Sequence, residues 1–183
     1  MSLVLAATPS LGIGKDGTLP WVAQGTRLPG DMAYFKKSTT ETSNPARRNA
    51  VLMGRKTWEG IPERFRPLSK RHNIVLTRDA GFAATLPDGV MTADSLSAAL
   101  AAAEDVDAET AVVIGGVALF EECVRHPRTS MVHLTAVEQE FPCDATLSAD
   151  FTDALRDGFD LASEAAPQTE AGVTYRIRVY TRR

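Results

Sequence analysis

The segment Arg47–Arg78, RRNAVLMGRKTWEGIPERFRPLSKRHNIVLTR, contains nine Lys or Arg and two Glu, a formal charge of +7. The whole 183-residue chain stands at −3, so the rest carries −10 and the positive charge is concentrated here. Two apolar runs inside the segment, Ala50–Met53 and Asn73–Leu76, read as strands. Each ends in basic or hydroxyl residues: Gly54-Arg55-Lys56-Thr57 after the first, Thr77-Arg78 after the second. Such donors gathered at two strand ends suit a polyanion, because guanidinium forks and the free N–H groups of a helix start both aim at phosphate or carboxylate oxygens. A solvated basic face is the plainer alternative. Gly54–Thr57 is not a Walker A loop, whose first glycine it lacks.

Three further features could do chemistry. Asp31 opens a helix whose apolar side holds Met32 and Phe35. A carboxylate there either complements the helix dipole or offers two acceptors to a pair of parallel N–H donors beside an apolar slot. Gly115-Gly116 follows a strand, where missing side chains let backbone approach a ligand or simply make a turn. A glycine-rich loop, Gly12-Ile13-Gly14-Lys15-Asp16-Gly17-Thr18-Leu19-Pro20-Trp21, precedes the helix. His72, His126 and His133 assemble no triad with Ser or Cys. Cys123 and Cys143 have no CxxC spacing, so free thiols in a reducing cytosol are expected.

The elements that must position these groups alternate. Leu3–Thr8 reads as a buried strand and Asp31–Thr40 as a helix started by Pro29. Asn49–Gly54 and Arg71–Thr77 read as strands, with a short helical turn over Lys56–Gly60 between them. Leu96–Ala103 reads as a helix capped by Asp94 or Ser95. Ala111–Ile114 is continuously apolar, as strands of doubly covered parallel sheets are. A helix over Val117–Val124 and a strand over Val132–Val137 follow. Leu161–Ser163 and Tyr175–Tyr180 read as a closing antiparallel pair. The pattern predicts an α/β fold in one domain over 1–183: a central, mostly parallel twisted sheet with an antiparallel C-terminal edge strand, flanked by about four helices. Apolar content of 44% and charged content of 23% are ordinary for a globular chain. No apolar run reaches membrane-spanning length, and Met1–Ala7 reads as a first strand, not a signal peptide.

In this order, the glycine loop, the helix acid, the basic segment and Ile114-Gly115-Gly116 resemble dihydrofolate reductases over essentially the whole chain. The resemblance implies NADPH as cofactor, reduction of 7,8-dihydrofolate to tetrahydrofolate, antifolate inhibitors as further ligands and a cytoplasmic enzyme. It implies a monomer, or one domain of a thymidylate synthase fusion. Asp31 then binds the pterin and acts on N5 protonation through water, with Thr135 hydrogen-bonded to it and Leu19 and Trp21 closing over the reacting rings. Val4, Ala6, Met32, Phe35, Ile61, Pro62, Leu68 and Ile114 line the substrate, and Arg71 takes the α-carboxylate of its glutamate tail. On the cofactor side the resemblance places Ala6, Ile13, Lys15, Gly17, Thr18, Gly54, Arg55, Lys56, Thr57, Leu76, Thr77, Arg78, Gly115, Gly116, Val117, Ala118, Leu119 and Phe120. Arg55, Thr77 and Arg78 face the 2′-phosphate, and the Gly115–Gly116 bond is cis. Three departures stand out: nine residues between Trp21 and Asp31, Phe120 where many members carry Tyr, and Asp94 where some carry a basic residue. A reductase of the riboflavin-biosynthesis type, or a non-catalytic binder of folate or nucleic acid, is the rival reading. The acidic chain and the lack of a basic helix disfavour nucleic acid.

Overall fold

The computed structural model describes residues 1–183. Its centre is a sheet whose parallel strands are β1 (Ser2–Ala7), β3 (Ala50–Gly54), β4 (His72–Leu76), β5 (Val90–Ala93), β6 (Ala111–Gly115) and β7 (Met131–Val137). They lie in the order β7-β1-β6-β3-β4-β5, all paired in parallel. Val51, Leu52 and Met53 are all fully buried. That is why the middle strands are continuously apolar: helices cover both faces of a parallel sheet. The antiparallel margin is broader than one edge strand. β11 (Val173–Arg182) pairs with β7 on one side, and with β9 (Phe159–Glu164) and β10 (Gln168–Glu170) on the other. β11 therefore lies inside the sheet, and its buried Val173, Tyr175 and Ile177 alternate with more exposed neighbours.

One face of the sheet carries α5 (Leu96–Asp105), α6 (Val117–Arg125) and α7 (Ala149–Gly158) over a core that joins Leu3, Leu5, Leu52 and Val113 to Leu100, Cys123, Phe151 and Leu155. The other face carries α2 (Pro29–Thr40) and α3 (Arg55–Gly60) over two smaller clusters. Because side chains alternate along a strand, Leu3 and Leu5 go to one face and Val4 to the other. Four helices have nine or more residues, and one of them, α7, escapes the sequence reading. Its apolar face of Phe151, Ala154 and Leu155 nonetheless has helical spacing and packs on the core. β5 and the short α1 (Pro20–Ala23) and α4 (Ala80–Ala83) also escape the sequence reading. β5 is only four residues long, and it is a strand because β4 offers it a free parallel edge. Ser95, not Asp94, caps α5, accepting from the Ala98 N–H at 3.3 Å. No helix is long and apolar enough to cross a membrane.

Candidate active site

Asp31 sits in the first turn of α2, only 6% exposed. Thr135 of β7 donates to its Oδ1 at 2.7 Å, and its Oδ2 accepts no hydrogen bond from the protein. Burial raises the pKa of this carboxyl above the usual carboxylate range. The Thr135 hydroxyl works against that, and the Glu170 carboxylate adds to it. The helix that carries Asp31 spans the seam of the two clusters on this face, sending Phe35 to one and Tyr34 to the other. Val4 heads one, with Phe35, Ile61, Leu68 and Ile114 packed against it; Trp21 heads the other, with Ala6 and Leu19 beside it. A carboxylate with one free oxygen between two apolar walls can hold a flat ring through a pair of N–H donors. Met32, one residue on, is 49% exposed, so its side chain stands at the open rim of that seam. Pro62 is exposed as well, ahead of a short 3-10 turn at Glu63–Phe65.

Arg71 stands at the start of β4, its guanidinium donating to the Thr39 hydroxyl at 2.6 Å and to the Ser69 carbonyl at 3.0 Å. Burial lowers its pKa, and it makes no ion pair within the chain. A half-buried guanidinium held only by neutral partners keeps its charge for an external anion.

The second half of the site is built from backbone. The peptide between Gly115 and Gly116 is cis, and Gly115 has φ 134°. A Cβ on Gly115 would lie 2.9 Å from the Thr57 hydroxyl, so both the space and the torsion demand glycine. Gly116 is the N-cap of α6 and offers no side-chain cap, which leaves the first N–H groups of Val117, Ala118 and Leu119 free to meet an anion. Gly54, at the end of β3, is the N-cap of α3 and equally lacks a side-chain cap. Two helix starts and one hydroxyl therefore converge on a cradle that a single Cβ would fill. That cradle fits a diphosphate.

The cations beside it differ in availability. Arg55 is engaged, pairing with Glu59 and Asp79 at 2.8 Å each and stacking over Phe82 at 4.4 Å. Arg78 reaches only the Asp94 carbonyl, at 3.5 Å, and neither Arg78 nor Lys56 forms an ion pair. Thr77 spends its hydroxyl oxygen on the Asp79 N–H, and Leu76 packs against the core at the end of β4.

The dihydrofolate reductase family profile matches residues 1–182. The chain belongs to the dihydrofolate reductase family. It is 37% identical over 186 residues to the dihydrofolate reductase of Heliothis virescens, an alignment covering 98% of this chain and 96% of that one. The solved Schistosoma mansoni dihydrofolate reductase superposes with a TM-score of 0.81 at 32% identity, over 100% of this chain and 97% of that one. The bifunctional dihydrofolate reductase-thymidylate synthase of Glycine max is 40% identical over 98% of this chain. The chain spans about a third of the length of that enzyme and of a similar bifunctional enzyme of Arabidopsis thaliana.

The glycine-rich loop over Gly12–Trp21 can be followed residue by residue. β2 (Gly12–Gly14) pairs with β8 (Ala145–Thr146), and Lys15 bridges to Thr18 through a turn at Asp16 and Gly17. Asp144 anchors the turn: it accepts from the Asp16 N–H at 2.8 Å and pairs with Lys15 at 3.5 Å. Gly17 sits directly over Gly60, where a Cβ would come 1.9 Å from the Gly17 carbonyl oxygen. The loop thus lies down on the end of α3, bringing Gly17 and Thr18 toward Ile61. Ile13 instead packs against the main core. The long Trp21–Asp31 connection is taken up by α1 and a turn at Gly25, which drops Leu28 into the Trp21 cluster. Trp21 itself is 1% exposed and meets the Phe141 ring edge-on at 6.1 Å.

Of the remaining expected residues, Leu119 and Phe120 are buried among core side chains, whereas Val117 is half-buried and Ala118 exposed. Leu119 meets the cradle through its N–H; the Phe120 ring edge lies close behind Gly115. The Asp94 carbonyl accepts from Arg78 at 3.5 Å, and no basic side chain is supplied at this position. Sequence reasoning missed Glu170, Tyr175, Thr39 and Asp144. Only Tyr175 carried a signal, an aromatic on the buried phase of an alternating strand. The others matter because of partners more than thirty residues away.

Proposed function

We propose that this protein catalyses the NADPH-dependent reduction of 7,8-dihydrofolate to tetrahydrofolate, with residues 1–183 forming one catalytic domain. The observation that carries the reading is the buried Asp31–Thr135 pair, with one carboxylate oxygen free between apolar walls. In its ionised form Asp31 accepts from the 2-amino group and N3–H of the pterin, and Thr135 fixes its orientation. Val4, Phe35, Ile61 and Ile114 press on the ring faces. Leu19 and Trp21 exclude bulk water, which strengthens the electrostatic effect of Asp31 on a water positioned to protonate N5. Arg71 receives the glutamate α-carboxylate through its fork.

When bound, the reduced nicotinamide of NADPH supplies the hydride for pterin C6. Gly54, Thr57, Gly115, Gly116 and the first N–H groups of α6 hold its diphosphate. Arg78, Lys56 and Arg55 face the 2′-phosphate, and Lys15 and the Gly17–Thr18 turn close the nicotinamide side. The protein orients the two rings at near-attack distance and keeps them dry. Antifolates of the diaminopyrimidine class present the same donor pair to Asp31.

The experiment is NADPH oxidation followed by absorbance with dihydrofolate, with and without a diaminopyrimidine antifolate. Dihydrofolate-dependent, antifolate-sensitive oxidation is expected. Folate binding without turnover would replace this reading by that of a non-catalytic binder.

A further inference from the structure

One half-buried carboxylate on the α2 face has no cation to pair with. Both oxygens of Glu170, on β10, accept from the backbone N–H of Gly30, at 3.0 and 2.9 Å, and its Oε2 also accepts from the Tyr175 hydroxyl at 3.1 Å. Gly30 is the second residue of α2 and Asp31 the third. Pro29 has no N–H, and Leu28 at the N-cap supplies no side-chain cap bond. Glu170 therefore takes the first N–H that the helix offers. This is the work of an N-cap residue, delivered from a strand 140 positions away. Tyr175, on β11, is 0% exposed, and its hydroxyl also donates to the Gln168 side-chain carbonyl at 3.1 Å. A Cβ on Gly30 would lie 2.5 Å from that hydroxyl and 2.9 Å from Glu170 Oε1. Glycine at this place is what lets phenol and carboxylate close on the helix start.

We propose that Glu170 and Tyr175 are positioning residues for Asp31, gripping the first turn of α2 from the C-terminal strands and so fixing where the Asp31 carboxylate stands against Thr135 and the substrate. The proposal rests on the dihydrofolate reading of this site. Without the grip, α2 would start on unpaired N–H groups, and the turn carrying the carboxylate would be free to fray.

The same contact is electrostatic. Behind burial, the Glu170 charge is what holds the Asp31 carboxyl above its ordinary range. The groups facing Asp31 are Thr135 of β7, which does not titrate, Glu170 of β10 and Tyr175 of β11. One turn further along α2, Tyr34 is hydrogen-bonded to His133 of β7 at 2.6 Å. The Tyr175 phenol is pushed up to about 12 by burial and by Glu170, and burial lowers the His133 pKa, so both are neutral at neutral pH. Within this set Glu170 is the charge that Asp31 feels.

The test uses the full chain with Glu170→Gln, which keeps an acceptor for the Gly30 N–H and drops the charge, and Glu170→Ala, which removes both. Carboxyl-carbon NMR titrates Asp31, its resonance identified by its loss in Asp31→Asn; steady-state kinetics are measured alongside. Glu170→Gln should move the Asp31 midpoint to lower pH while keeping kcat/KM for dihydrofolate near the wild-type value. Glu170→Ala should lower kcat/KM by roughly three- to tenfold without changing the KM for NADPH. An unmoved Asp31 midpoint in Glu170→Gln, or wild-type kcat/KM in Glu170→Ala, overturns the proposal. If Glu170→Ala does not fold, the Glu170→Gln midpoint decides alone. Absence of dihydrofolate-dependent NADPH oxidation by the wild-type chain overturns the functional reading instead, and the titration still reports whether Glu170 acts on Asp31.

Discussion

Thr135→Val is the substitution that isolates what the buried pair contributes. Valine has nearly the shape of threonine, so the surroundings of β7 stay filled, and the change removes one O–H donor from Asp31 Oδ1, 2.7 Å away. A hydrogen bond to a charged group contributes about 1.5–3 kcal/mol, and here the acceptor is almost entirely buried, so no water replaces the hydroxyl. If that contribution is expressed fully in substrate and transition-state binding, kcat/KM for dihydrofolate should fall by about ten- to a hundredfold. The pH dependence provides a second reading. The Thr135 hydroxyl stabilises the ionised carboxylate and lowers its pKa against the larger effect of burial. Removing it moves the pKa further up. The deficit should therefore widen as pH falls toward the Asp31 pKa, where the variant holds its proton first. It should shrink at higher pH, where both enzymes are ionised, to the part that comes from lost orientation. Steady-state kcat/KM measured across pH, with thermal melts to verify folding, is the assay. A variant with wild-type kcat/KM at every pH would refute the role given to the pair.

Other outcomes follow from the same geometry. Arg71→Leu should raise KM for dihydrofolate by roughly tenfold or more, with NADPH affinity unchanged, because a charge-assisted fork is lost while the Thr39 hydroxyl keeps its bond to the Phe35 carbonyl; a loss confined to NADPH would reverse the two anion sites. Arg78→Leu should erode the preference for NADPH over NADH more than Arg55→Leu does, since Arg55 is already committed to Glu59 and Asp79, and added salt should weaken the effect. Equal losses for both cofactors in kinetic assays would mean that Arg78 serves the diphosphate or the fold. Gly115→Ala should abolish NADPH binding measured by fluorescence, because its Cβ would lie 2.9 Å from the Thr57 hydroxyl at a torsion that disfavours side chains; undiminished binding would remove the cradle from the cofactor site.

Much of the fold and site was legible in the sequence, for a local reason. Periodicity and punctuation are written along the chain, so the buried parallel strands, α2, α5 and α6 stand within a few residues of where apolar runs, Pro29 and Ser95 put them. The spacing of Asp31, the basic segment and Gly115-Gly116 carried the family resemblance, and the charge of Arg47–Arg78 singled out two basic strand ends. The tertiary structure decided which of those charges are free. Arg55 is neutralised by Glu59 and Asp79 while Arg78 is not, a difference set by where α4 begins and invisible in a residue count. It also decided that β11 lies inside the sheet and that Glu170 and Tyr175 reach back to the turn carrying Asp31. A hydrogen bond spanning most of the chain leaves no period and no motif. Its partners are chosen by how the strands stack, and only the folded sheet brings them together.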